Sequence, residues 1–131
     1  MVWRAAVARI LVVDDDPVWL SLIRLRLEDI GHQVTACQEP IEAFGLLRRG
    51  AFDLVVLDLR MPLNGKSLLW FAQNHHGGLP VIIYTSFAGS AGDPDISRAT
   101  AFVVKDPDVQ NLVGAINKAL DSSAGRTESV A

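Results

Sequence analysis

Apolar residues along this chain gather in short, nearly unbroken runs that recur at helix-length intervals. RILVV (9–13), DLVVL (53–57), PVIIY (80–84) and AFVV (101–104) lack polar alternation, and QVTAC (33–37) is a weaker fifth run. Val- and Ile-rich runs of this length predict strands covered on both faces, as in a parallel sheet. Between them the apolar spacing turns helical. Asp16 can cap and Pro17 can open a first helix, in which Leu20, Ile23, Leu27 and Ile30 share a face and Gly31 marks the end. A second helix opens at Pro40, carries Ile41, Phe44 and Leu47, and stops at Gly50. A third spans about Lys66 to Asn74 with Leu68, Leu69 and Phe71 inward; the last carries Val109, Leu112, Val113, Ile116 and Leu120. Strands alternating with helices predict an α/β fold, a parallel sheet with helices on both faces.

One interval breaks the pattern. SFAGSAGDPDISRAT (86–100) holds a single large aliphatic residue, Ile96, and supports at most a short helix from Pro94 to Thr100 capped by Asp93. The end, DSSAGRTESVA, is small and polar and reads as a disordered tail. The expected organisation is one domain over residues 1–120 and a flexible tail over 121–131.

Composition narrows the class. The chain has 131 residues, half of them hydrophobic and 21% charged, with a net charge of -3. That balance is globular, and it argues against a nucleic-acid-binding body, which would carry a basic face. No apolar run is long enough to span a bilayer. The opening MVWRAAVARILVV lacks a small-residue cleavage site and leads straight into aspartates, so it reads as a strand, not a signal peptide. The single cysteine, Cys37, cannot form an internal disulfide and suits a reducing cytosol. A cytoplasmic domain is expected.

The polar residues that follow the strands carry the chemistry. In an open parallel sheet, ligands bind beyond the carboxyl ends of the strands. Asp14 and Asp15 follow the first run, Asp58 the third, Thr85 and Ser86 the fourth, and Lys105 the fifth. Each alone is an ordinary strand-end residue. Four strands of five supplying two acids, an acid, a hydroxyl and an ammonium to one edge is not ordinary. Carboxylates crowded together repel unless a cation joins them, and an all-oxygen set without histidine or cysteine suits Mg²⁺. A lysine and a hydroxyl add donors for phosphoryl oxygens, and a carboxylate held there can attack phosphorus. The cluster suits receipt of a phosphoryl group.

These motifs resemble the receiver domains of bacterial two-component response regulators (CheY-like). ILVVDDDP resembles the family's acidic pair, LVVLDLRMP its phosphoacceptor motif, LPVIIYTS its switch-hydroxyl strand and AFVVKD its lysine strand. The match runs from about Ile10 to Leu120. It implies a flavodoxin-like (βα)5 three-layer sandwich with strand order 2-1-3-4-5, the fourth helix short or irregular here. It also implies Asp58 as phosphoacceptor, and Mg²⁺ held by Asp14, Asp15, Asp58 and the backbone carbonyl of Arg60. Lys105 would pair with the phosphoryl group, Thr85 would turn its hydroxyl towards it, and Phe102 would occupy the aromatic switch position. The implied partners are a sensor histidine kinase or histidine phosphotransfer protein and a downstream protein target, with the domain a monomer or homodimer. No DNA-binding helices follow in this sequence, and the expectation is either a single-domain regulator or a receiver cut from a longer protein, the first being favoured.

The sequence departs from the family in places. Asp106 stands between Lys105 and Pro107, where the family usually has proline directly after the lysine. MPLNG is one residue shorter than the usual loop, and the weak fourth helix implies an unusual or mobile output face. Arg60 and Phe87 flank the path of attacking water, are bulky, and imply slow self-dephosphorylation. His75 and His76 read as solvated helix-end residues, Cys37 as a small core residue, and Trp19 and Trp70 as packing or partner-contact residues.

Two other readings compete. DDDPV (14–18) also fits the Asp-x-Asp-x-(Thr/Val) signature of haloacid-dehalogenase-type phosphatases, with Asp14 as nucleophile and Asp16 as general acid. That reading lacks a second strand-end acidic pair after the lysine and leaves Asp58 unexplained. The other is a pseudo-receiver, a binding module that takes up no phosphoryl group.

Overall fold

The computed structural model describes residues 7–59, 65–75, 78–86 and 98–130. Among the described residues, five strands and four helices follow in the order β1 (Arg9–Val13), α1 (Pro17–Asp29), β2 (Gln33–Cys37), α2 (Pro40–Arg49), β3 (Leu54–Leu57), α3 (Gly65–His75), β4 (Val81–Thr85), β5 (Ala101–Val104) and α4 (Gln110–Val130). All pairings are parallel, and the sheet order is β2-β1-β3-β4-β5. The expected flavodoxin-like topology is therefore present.

The unalternating runs bury both of their faces. Ile10, Val12, Leu54, Val56, Ile82 and Tyr84 pack with α1 and α4 on one side of the sheet. Leu11, Val13, Val55, Leu57, Val81 and Ile83 pack with α2 and α3 on the other. Each strand thus divides its side chains by the two-residue period of the pleat. That division decides which strand-end residues meet.

Helix boundaries follow local chemistry. Asp16 is extended, and its carboxylate accepts from the Val18 N–H at 2.9 Å ahead of Pro17. At the other end of α1, Gly31 takes φ +105, a left-handed conformation suited to glycine. Its N–H donates to the Glu28 carbonyl and the His32 N–H to the Leu27 carbonyl, both at 3.0 Å, which closes the helix in a Schellman motif.

The last helix runs on to Val130, through most of the segment read as a tail. One expectation needs correction. Val109 is not on that helix; it precedes it, fully buried, with φ +62. Most of the expected short helix Pro94–Thr100 lies outside the described residues, and 98–100 form turn and bend. Arg60, the MPLN segment, His76 and Phe87 also lie outside them. Among the described residues no helix is long and apolar enough to cross a membrane.

Candidate functional site

Strand alternation aligns the site. Asp14 and Asp58 follow register partners, Val13 and Leu57, on adjacent strands. The ladder continues one step past each strand: the Asp14 N–H donates to the Cys37 carbonyl at 3.2 Å, and the Asp58 N–H to the Val13 carbonyl at 3.0 Å. On β5, Ala101 and Val103 pack towards α1 and α4, and Lys105 continues that row. Its N–H closes the β4–β5 ladder on the Thr85 carbonyl at 2.8 Å. All three side chains are thereby set on the α1/α4 side of the sheet.

They meet there. Lys105 Nζ lies 2.6 Å from Asp14 Oδ2 and 2.7 Å from Asp58 Oδ2, with the three side chains 4%, 2% and 5% exposed. The bond to Asp58 is well directed. Asp14 Oδ2 is close to the ammonium but off the hydrogen-bond direction, and among the described residues this buried oxygen has no directed hydrogen bond. Asp14 Oδ1 accepts from the Asp16 N–H at 2.9 Å. Burial raises the Asp14 pKa by more than Lys105 and the Asp16 N–H pull it down. For Lys105, burial works to lower the pKa, but Asp14 and Asp58 together outweigh it and hold it above the ordinary lysine value.

The open pocket above these groups has a volume of about 260 Å³ and is lined by Asp14, Asp15, Asp16, Trp19, Asp58, Ser86 and Lys105. Four aspartates face one lysine across it, so the site keeps an excess of negative charge even with the ion pairs made. Asp15 is solvent-exposed on its wall. Among the described residues no three acidic, histidine or cysteine side chains form a ready-made metal cage. Lys105 holds Asp14 and Asp58 instead.

The other predicted residues divide. Thr85 is 1% exposed at the end of β4 and does not line the pocket; Ser86, on the same strand parity as Tyr84, does. Phe102 is partly buried and packs on the α2/α3 side, in register with Ile83. Cys37 is a core residue, and burial pushes its thiol up to about 11. Trp70 is 59% exposed on α3. Trp19, read from the sequence as packing or partner contact, is part of the pocket wall with its ring centroid 4.9 Å from Lys105 Nζ. Tyr84 passed unnoticed in the sequence. Its ring meets Trp19 edge to face at 5.8 Å, and its hydroxyl bonds the backbone of Asp106. The available signal was strand parity: Tyr84 sits two residues beyond Ile82, on the face that Asp58 and Lys105 share.

Comparison with known proteins agrees with this architecture. Residues 10–117 match the family described as the response regulator receiver domain. Transcriptional regulatory protein GlrR of Escherichia coli (strain K12) is 39% identical over 127 residues; the match takes in 92% of this chain and 28% of GlrR. The chain thus spans little more than a quarter of that curated relative. Response regulator TrrA of Thermotoga maritima, solved in complex with Mg(2+)-BeF, superposes with a TM-score of 0.81 at 28% identity over 86% of this chain and 98% of TrrA. TrrA in complex with histidine kinase ThkA gives 0.79 at 28% identity over 86% of this chain and 97% of that one. The chain belongs to the response regulator receiver domain family of two-component systems.

Proposed function

We propose that this domain accepts a phosphoryl group on Asp58 from a phosphohistidine of a sensor kinase or phosphotransfer protein, and that the acceptor state signals to a downstream protein. The observation that carries this reading is the ion-paired trio: Lys105 Nζ bridging Asp14 and Asp58 at the floor of an acidic pocket. In the step, a carboxylate oxygen of Asp58 attacks phosphorus in line, the P–N bond breaks, and the imidazole departs with the electron pair. Lys105 stays beside the acceptor and pairs with the incoming phosphoryl oxygens, stabilising charge with no need to move in from solvent. The rate enhancement then rests on positioning and electrostatics.

The donor set fits Mg²⁺. Among the described residues the buried Asp14 Oδ2 is held only by its ion pair with Lys105, Asp15 stands exposed beside it, and the pocket is net negative. A hard ion that keeps several waters needs only one or two such carboxylates. TrrA, captured with Mg(2+)-BeF, supports the same assignment. When bound, the ion supplies neutralisation of the carboxylates and of the phosphoryl oxygens. Asp14, Asp15 and Asp58 would hold it; Arg60, whose carbonyl completes the expected set, lies outside the described residues.

Thr85 and Phe102 are the proposed relay. Thr85 is buried on the opposite strand parity, so reaching a phosphoryl group on Asp58 requires it to turn, and Phe102 packs on that same side of the sheet. The phosphatase reading fares worse. The Asp16 carboxylate that it needs as a proton donor is engaged in capping α1.

Incubation with acetyl phosphate and Mg²⁺ tests the proposal. Wild type takes up one phosphoryl group, Asp58→Asn takes up none, and Asp14→Asn takes it up slowly. Uptake by Asp58→Asn equal to wild type contradicts it.

A further inference from the structure

The loop after β5, KDPDV, is strapped from several sides. Tyr84, 1% exposed, donates its hydroxyl to the Asp106 carbonyl at 2.9 Å and accepts from the Asp106 N–H at 3.0 Å. Arg26 of α1 donates to the Asp108 carbonyl at 3.1 Å. The Asp106 carboxylate accepts from the Asp108 N–H at 3.1 Å, and the Asp108 carboxylate from the Gln110 N–H at 3.0 Å. Among the described residues the Val109 N–H also donates to the Asp106 carbonyl, at 2.9 Å, and Tyr84 is the contact from outside the loop that ends on the residue next to Lys105. A hydroxyl that both donates to and accepts from one residue's main chain fixes its orientation as well as its position. Lys105 is thus held between its own ladder bond to Thr85 and the clamped Asp106.

The ammonium is confined too. The Trp19 ring covers it at 4.9 Å, and Tyr84 meets that ring edge to face at 89°. Packing alone asks only for an aromatic ring at position 84. The hydroxyl does something else.

We infer that Tyr84, with Trp19 beside it, is a positioning residue for Lys105: its hydroxyl clamps the Asp106 main chain, so that the ammonium stays between Asp14 and Asp58 where a phosphoryl group arrives. The inference rests on the phosphoacceptor reading of Asp58 for its consequence but not for its geometry. Tyr84→Phe keeps the ring and removes the clamp. Proton exchange of the lysine ammonium groups, followed by NMR on ¹⁵N-lysine-labelled unphosphorylated protein, reads the geometry. Tyr84→Phe speeds exchange at Lys105 by about fivefold, as expected for losing one net hydrogen bond, and leaves exposed Lys118 unchanged. Uptake from acetyl phosphate reads the consequence. Tyr84→Phe slows it by about fivefold, yet has less than about a twofold effect in a Lys105→Met background, because the clamp acts through the ammonium. Equal losses in both backgrounds, or unchanged exchange at Lys105, overturn the inference. Absence of any uptake by wild type overturns the phosphoacceptor reading instead, and the exchange measurement still decides the clamp.

Discussion

Lys105 and Asp14 form an ion pair at 2.6 Å with side chains 4% and 2% exposed, across a site that Asp58 shares. Removing one member of a buried pair leaves an uncompensated charge. Lys105→Met is therefore expected to cost about 3–5 kcal/mol of folding stability at neutral pH, measured by urea unfolding. Saturating Mg²⁺ recovers part of that loss, because the ion replaces the missing positive charge. A variant as stable as wild type without Mg²⁺ contradicts the ion-pair account.

Asp16 lines the pocket, but its carboxylate caps α1. Asp16→Ala is expected to lower stability by about 0.5–2 kcal/mol, the usual cost of a lost N-cap. Phosphoryl uptake at Asp58 stays near the wild-type rate once the protein is folded. Abolished uptake in a folded variant would mean that Asp16 takes part in the chemistry.

His32 gives the fold a pH dependence away from the pocket. It is 4% exposed, its Nδ1 accepts from the Ala8 N–H at 3.1 Å, and burial lowers its pKa from 6.5. A protonated Nδ1 cannot accept that bond. The unfolded chain binds the proton first, so stability is fully present above about pH 6.5 and is lost as pH falls through the lower folded value. His32→Asn, which keeps an acceptor without a titrating ring, flattens the profile below pH 6.5. An unchanged slope in that variant removes His32 as the cause.

Arg60 and Phe87, two residues beyond Asp58 and Thr85 in the sequence, offer no small polar group to orient attacking water. The phosphorylated domain is expected to lose its label slowly. Phe87→Glu with Arg60→Asn accelerates the loss, measured by decay of label after removal of the phosphodonor; an unchanged decay rate rejects the assignment.

Much of the architecture was legible in the sequence because its signals are local. Unalternating Val and Ile runs reported strands buried on both faces, and Asp16-Pro17 and Gly31 reported the ends of α1. Asp14, Asp58 and Lys105 were legible as strand-end residues, since ladder bonds carry each one just past its strand. What was not legible depends on side-chain direction. Periodicity put Val109 on the last helix, but the Asp108 carboxylate bonds the Gln110 N–H and the helix begins one residue later. Trp19 read as a packing or partner-contact residue and Tyr84 passed unnoticed; strand parity sets Tyr84 on the α1/α4 side of the sheet, where Trp19 of α1 meets both its ring and the ammonium. The same parity places Ser86, not Thr85, on the pocket wall. The three aspartates of DDDP divide for similar reasons: Asp14 is buried in the ion pair, Asp15 is exposed beside it, and Asp16 caps a helix.

The most direct test of the account locates the phosphoryl group. Wild-type protein is incubated with acetyl phosphate and Mg²⁺, reduced with borohydride, which converts an aspartyl phosphate to homoserine, and digested for peptide mass spectrometry. The account predicts homoserine at position 58 alone, and none when Mg²⁺ is chelated. Homoserine at position 14, or at neither position, would contradict it.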